Sequence, residues 1–275
     1  MTLNNLQNIA DQFPHSQKMP ALFLGHGSPM NAIEENQFVQ GFRDVASKIP
    51  KPHAILCISA HWYTQGTKVT AMEMPPTVHD FGGFPKALFD VQYPAPGNPI
   101  LAKETAKLLL PVSVEEDHEW GLDHGAWSVI KHMYPDASIP VIQMSIDYTQ
   151  PAQYHFELAQ KLQKLREKGV LIIGSGNIVH NLRLIDWKNI DTVGAGWDWA
   201  VEAREKTNSW LLDGDFSRLI NYQDQSMALQ IAVPSPDHYL PLIYTLGLKS
   251  KSEDLSLFND ELIAGSLSMT SVMIT

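Results

Sequence analysis

Short, almost wholly apolar runs punctuate the chain, and several of them end at a histidine. Ala21-Leu22-Phe23-Leu24 leads into Gly25-His26-Gly27-Ser28-Pro29, and Ala54–Ala60 leads into His61-Trp62. Val170-Leu171-Ile172-Ile173 leads into Gly174-Ser175-Gly176-Asn177 and then His180. Apolar runs of this length bounded by turn residues predict buried strands. Pro140–Ile146 predicts another, Lys68–Met72 and Ser113–Glu116 predict shorter ones, and Ser266–Ile274 predicts a closing strand. Gly25 and Gly27 are expected to bend the chain after the first strand, and Gly174-Ser175-Gly176 to form a tight turn after another. Between the strands the apolar spacing becomes helical. Phe38, Phe42, Val45, Ala46 and Ile49 share one face, and Pro50 and Pro52 end that helix. Pro99–Leu110, Pro151–Lys168 (closed by Gly169), Trp197–Leu212 and Tyr239–Leu246 read the same way, with one or two short helices within Ser217–Ile231. Asp123 is positioned to cap a helix carrying Trp127, Val129, Ile130 and Met133.

Strands alternating with helices predict an α/β fold: a single three-layer α/β/α domain with a central, largely parallel mixed sheet covered on both faces. The domain is expected to span residues 19–275, after a flexible N-terminal extension over residues 1–18. Pro75 to Pro99 is a long Pro- and Gly-rich stretch, and its aromatics Phe81, Phe84, Phe89 and Tyr93 favour an ordered, functional loop. No repeat or low-complexity tract interrupts the pattern.

Composition narrows the function classes. The 275 residues are 44% hydrophobic and 18% charged, ordinary for a globular protein. The net charge of −10 argues against nucleic acid and anionic membrane as partners, since phosphate contacts need clustered cations. No apolar run reaches the roughly 20 residues of a membrane span, and the polar start lacks a signal-peptide core. The lone cysteine, Cys57, lies within a predicted strand and can form neither an internal disulfide nor a thiolate cage. A cytoplasmic protein is expected. The oligomeric state is not encoded in any of these features.

The chemistry is expected where ligands bind in such sheets, beyond the carboxyl ends of the strands. Three histidines fall there: His26, His61 and His180. His238 follows Ser235-Pro236-Asp237 at a helix start, and His124 lies in Asp123-His124-Gly125. A single histidine is more often structural than catalytic. Three beyond three neighbouring strand ends are harder to explain that way. Histidine is the commonest metal ligand and the best proton carrier near pH 7, and an all-nitrogen site with open positions suits zinc or iron(II). Asp80, Asp123 and Asp237 adjoin these histidines as ligands or as partners orienting the imidazoles. Ser28 reads first as a turn residue. His79 and Asp80, in the long loop, are candidates for substrate contact. His15, His53, His118, His132 and His155 read as solvated or packing residues. The tryptophans read mostly as core, with Trp62 a candidate pocket wall. The chain has no His-Glu-x-x-His helix, Walker loop or Gly-x-Ser-x-Gly elbow.

Several of these motifs, taken in order, resemble the class III extradiol ring-cleavage dioxygenases, and among them the 4,5-DOPA dioxygenase type. They are Leu-Gly-His-Gly-Ser-Pro at Leu24–Pro29, Ser-Ala-His-Trp at Ser59–Trp62, His-Asp-Phe-Gly-Gly-Phe-Pro at His79–Pro85 and Asp-His-Gly at Asp123–Gly125. Gly-Asn-Ile-Val-His-Asn at Gly176–Asn181 and the stretch Pro236–Leu242 extend the resemblance from about Met19 to the C-terminus. It implies a cytoplasmic oxidoreductase of aromatic compound metabolism, with one divalent metal, Fe(II) for turnover or Zn(II) as bound. The metal would rest on His26, His61 and His238, with His180 either a fourth ligand or an acid/base residue. The usual glutamate ligand of the class is replaced here by His238. His124 would act on oxygen or substrate, and His79, Asp80 and Ser28 would contact substrate. The implied reaction opens a DOPA-like catechol with O2, beside its two hydroxyls, to a semialdehyde product. The alternative is a zinc-dependent hydrolase on the same histidines, using a metal-activated water. A third possibility is a binding protein on an enzyme scaffold.

Overall fold

A computed structural model of the chain describes residues 18–275. Residues 1–17, and with them nearly all of the expected 1–18 extension, lie outside the described residues. Lys18 itself is tied down, its Nζ 2.9 Å from the Glu253 carboxylate.

Ten strands form among the described residues: β1 (Ala21–Gly25), β2 (Ala54–Thr64), β3 (Thr67–Thr70), β4 (Val114–Asp117), β5 (Val141–Asp147), β6 (Val170–Gly176), β7 (Leu255–Phe258), β8 (Leu262–Ile263), β9 (Leu267–Ser268) and β10 (Ser271–Ile274). Eight of them make one sheet in the order β4-β3-β5-β2-β6-β1-β10-β7. Its centre, β5-β2-β6-β1, is parallel throughout. β3 joins one side of that centre and β10 the other, both antiparallel.

Alternation along the central strands builds the two cores. Ala21 and Phe23 of β1, Leu56 and Ile58 of β2 and Ile172 of β6 join one cluster, which is covered by helices including Pro99–Leu108, Ala152–Arg166 and Leu240–Gly247. Leu22, Leu24, Ile55, Cys57 and Ile173 join the other, covered by helices Gln37–Lys48 and His124–Met133. Strands buried on both faces explain why their sequences read as unbroken apolar runs.

Four local expectations are corrected. β2 does not stop at Ala60; it continues through His61 and Trp62 to Thr64. Its pairing slips there, advancing from Ile58 to Tyr63 while β5 advances only from Met144 to Ile146. His61 therefore projects from a bulge, a device that re-aims a side chain within a strand. Gly174-Ser175-Gly176 is not a turn but the last three residues of β6. Its glycines admit a close neighbour, since a Cβ on Gly174 would meet the Pro241 carbonyl oxygen at 2.3 Å and one on Gly176 that of His238 at 2.2 Å. Gly25 is likewise a close-approach residue, against the Met269 backbone, whereas Gly27 does turn the chain at φ +63°. The closing strand divides into β9 and β10, because Met269 donates its N–H to the Glu261 carbonyl and carries the chain from a small hairpin into the main sheet.

Candidate active site

Five histidines converge beyond the carboxyl edge of the parallel strands. His26 follows β1 directly, held by its N–H to the Gly176 carbonyl (3.1 Å) and by its carbonyl to Asn31 Nδ2 (2.9 Å). Its ring centroid lies 5.1 Å from that of His61, 5.8 Å from that of His124 and 5.3 Å from that of His238. His61 and His124 are closer still, at 3.8 Å, and His180 stacks on His238 at 3.6 Å with the planes 4° apart. His26 Nε2 and His61 Nε2 are 3.3 Å apart. One ring nitrogen each from His26, His61 and His124 lie within 4.8 Å of one another, close enough to share an ion.

The other ring nitrogen of four of these histidines is already engaged. His61 Nδ1 lies 3.2 Å from Asp80 Oδ2, and His124 Nδ1 lies 2.9 Å from Asp80 Oδ1. His238 Nδ1 meets Asp237 Oδ2. His26 Nδ1 lies 3.0 Å from Ser175 Oγ. The Ser175 hydroxyl donates its proton to the Gly125 carbonyl, so it accepts from His26 Nδ1–H and leaves Nε2 bare. Partners of this kind fix the tautomer and aim the remaining nitrogen at a metal. The donor set thus fits a divalent ion.

The electrostatics follow from burial and from these partners. Burial, reinforced by the neighbouring histidines, lowers the His26 pKa well below the ordinary imidazole value, so its lone pair is free. His180 is lowered to about 3, first by burial and then by His238. Burial also lowers His238, against the pull of Asp237. Burial opposes charge on His61, but the hydrogen bond it donates to Asp80 and the carboxylates of Asp123, Asp80 and Asp237 hold its pKa above the usual value. Asp80 is itself half-buried, yet its contacts with His124 and His61 keep it well below the usual carboxylate range.

A second layer holds the floor rigid. Asp123 is fully buried and caps helix His124–Met133 through Ala126 N–H (3.1 Å). It also accepts from Ser59 Oγ (2.7 Å) and Gln143 Nε2 (2.7 Å). Asp123 therefore hydrogen-bonds the helix rather than an imidazole, while Asp80 and Asp237 are the carboxylates that orient histidines. Gly125 must be glycine, for its Cβ would meet Ser59 Oγ at 2.4 Å and His61 Cδ2 at 2.9 Å.

The remaining candidates divide. Ser28 lines the cavity, its Oγ accepting from Met30 N–H at 3.2 Å. His79 does not line it; its Nε2 turns to the Val91 carbonyl at 2.9 Å and its ring packs near Phe81, Phe89 and Trp127. Asp80 lines it but is committed to His61 and His124. Trp62 stacks on Trp120 away from the cavity, and the tryptophan at the wall is Trp187. Ser175 and Trp187 carry no motif that singles them out, and only the fold brings Ser175 to His26 and Trp187 to the cavity lining.

A buried set of oriented imidazoles at the carboxyl edge of a parallel sheet defines the class, an α/β enzyme whose histidines can hold a metal. The family model of the catalytic LigB subunit of aromatic ring-opening dioxygenase matches residues 19–267. The chain is 47% identical over 268 residues to the 4,5-DOPA dioxygenase extradiol of Escherichia coli (strain K12), covering 97% of this chain and 98% of that protein. It is 35% identical to the enzyme of the same name from Beta vulgaris, over 92% of this chain and 95% of that one. A crystal structure of an uncharacterized Escherichia coli K12 protein superposes with a TM-score of 0.81 at 42% identity, covering 94% of this chain and all of that one. The chain belongs to the family of LigB catalytic subunits of aromatic ring-opening dioxygenases. It is a metal-dependent extradiol dioxygenase. No helix among the described residues is long and apolar enough to cross a membrane.

Proposed function

We propose that residues 19–275 act as one catalytic unit that opens the ring of a DOPA-type catechol with O2, placing both oxygen atoms in a semialdehyde product. The observation that carries this is the set of imidazoles whose Nδ1 atoms are held by Asp80, Asp237 and Ser175. His26, His61 and His238 hold the metal, and His180 stands beside them. Iron(II) bound there supplies the redox chemistry that joins catechol and O2, whereas zinc(II) supplies Lewis acidity alone. His180 is uncharged at neutral pH, and its ring, stacked on His238, stands at the acid/base position that the resemblance implies. His124 keeps Nδ1 on Asp80 and offers Nε2 to the oxygen side. Ser28 stands on the cavity wall toward the substrate. The single buried thiol of Cys57 suits a reducing cytoplasm.

The test is anaerobic reconstitution with iron(II), followed by DOPA and air. A yellow ring-opened product is expected, and His61→Ala should abolish it. Absence of product with iron across a panel of catechols overturns the proposal. The all-imidazole set also suits a zinc hydrolase, which ester hydrolysis dependent on zinc and lost in His61→Ala would support. Metal analysis of His124→Ala and His238→Ala separates the third ligand: His238→Ala should lose the ion and His124→Ala should keep it.

A further inference from the structure

The cavity is far larger than a catechol ring needs. It encloses about 760 Å³. Besides the histidines its lining draws on two segments that serve as walls, one with Met30, Glu34 and Phe38 and the other within residues 182–193. This second wall presents apolar side chains to the opening, with Leu182 at 58% and Trp187 at 73% exposure. Among the described residues lining the cavity there is no Lys or Arg. Arg183 and Lys188 belong to the second wall's segment but do not line the cavity. The lining carboxylates are Asp80, engaged by two histidines, and Glu34 and Asp191, one on each wall and neither in an ion pair.

We propose that this cavity selects its catechol by the net charge of the tail, favouring cationic and neutral tails over anionic ones. The proposal rests on the ring-opening function above, because the catechol hydroxyls must point to the histidines for the tail to lie between these walls. A carboxylate drawn between the walls sheds water and finds no Lys or Arg there to replace it. It also meets the fields of Glu34 and Asp191. An ammonium group meets the same two carboxylates favourably while its stem lies on the apolar wall. A substrate carrying both groups, as an aromatic amino acid does, is held through its ammonium end.

The test uses three catechols of similar size: dopamine (cationic), N-acetyldopamine (neutral) and 3,4-dihydroxyphenylpropionate (anionic). Equilibrium binding to the zinc-loaded full chain should rank them in that order. Two exposed carboxylates, each attracting one tail and repelling the other, correspond to roughly a ten-fold preference of cation over anion at low salt. Glu34→Gln and Asp191→Asn should each narrow that ratio by about two- to three-fold, and the double variant should bring it close to one. Both residues are exposed, so the substitutions spare the fold. The iron(II)-loaded enzyme should show the same order in kcat/KM. Equal or tighter binding of the propionate, or an unchanged ratio in the double variant, overturns the proposal. If iron-loaded protein opens none of the three rings, the ring-opening function fails instead, and the binding ratio still decides tail selection.

Discussion

The floor and the outer wall of the cavity are built by opposite means. On the floor, His26, His124 and His238 are nearly inaccessible, and each has one ring nitrogen engaged by Ser175, Asp80 or Asp237. The outer wall, residues 182–193, is mostly exposed, half apolar and anchored at both ends and at Asp186. Asn181 N–H meets the Ser266 carbonyl, Asp186 N–H the Ala264 carbonyl and Gly194 N–H the Leu262 carbonyl. A metal centre requires donors fixed before the ion arrives, and burial with a held second nitrogen achieves this. A wall that meets only a substrate's tail needs surface rather than fixed direction, and exposed segments on a rigid scaffold supply it. Substitutions on the floor should therefore act on metal and turnover together, and substitutions on the wall should act on KM.

The largest effects are expected on the floor. His61→Ala removes a donor from its centre and should abolish both metal retention and ring opening, measured as metal per chain after dialysis and as product formed with added iron(II). Gly27→Val should lose metal with every ligand intact, because a β-branched residue is strongly disfavoured at φ +63° and its Cβ would meet Met269 Sδ at 2.5 Å. Full metal occupancy in that variant would show that the bend does not set the direction of His26. Asp80→Ala unfastens His61 and His124 at once, and a loss of metal affinity of about 10- to 100-fold is expected. Titration of the metal-free protein with zinc reads it directly, and wild-type affinity would break the contrast between floor and wall.

The sequence made the floor far more legible than the wall, and the reason is physical. β1 and β6 are buried on both faces, so they read as unbroken apolar runs and the histidines beyond them stand out. β2 misled in detail, because the bulge that re-aims His61 lies in its pairing with β5 and leaves no local mark. Asp80 and Asp237 were visible as acids beside histidines. Ser175 was hidden among glycines that read as a turn, since the Cβ clashes requiring those glycines come from Pro241 and His238, more than sixty residues away. The wall gave no signal at all. Leu182, Ile185, Trp187, Ile190 and Val193 follow no single period, and their grouping depends on β8 and β9, strands of two residues each.

Ser175→Ala tests the hidden part of the floor. The Gly125 carbonyl loses its donor and His26 loses the acceptor that fixes its tautomer, while β6 keeps its packing. A roughly ten-fold weaker zinc affinity is expected, the low end of the range for partners of metal-bound histidines. A stability loss of about 1–3 kcal/mol from the unpaired buried groups should accompany it. Ser175→Thr keeps the hydroxyl and should recover affinity toward wild type, an outcome that a purely structural role for the residue would not produce.

The smallest effect is expected at Trp187. Its side chain is largely exposed, lines the cavity and holds none of the histidines, so Trp187→Ala should leave metal content unchanged. What it removes is apolar surface for the substrate's tail. A few-fold rise in KM for a catechol with a long tail is expected, with kcat retained and little change for 4-methylcatechol, which is too short to reach the wall. Partial contact by an aromatic side chain is worth about 1 kcal/mol, and that sets the size of the effect. If kcat falls for both substrates and KM holds, residues 182–193 share in the chemistry and the floor and the wall are one functional unit.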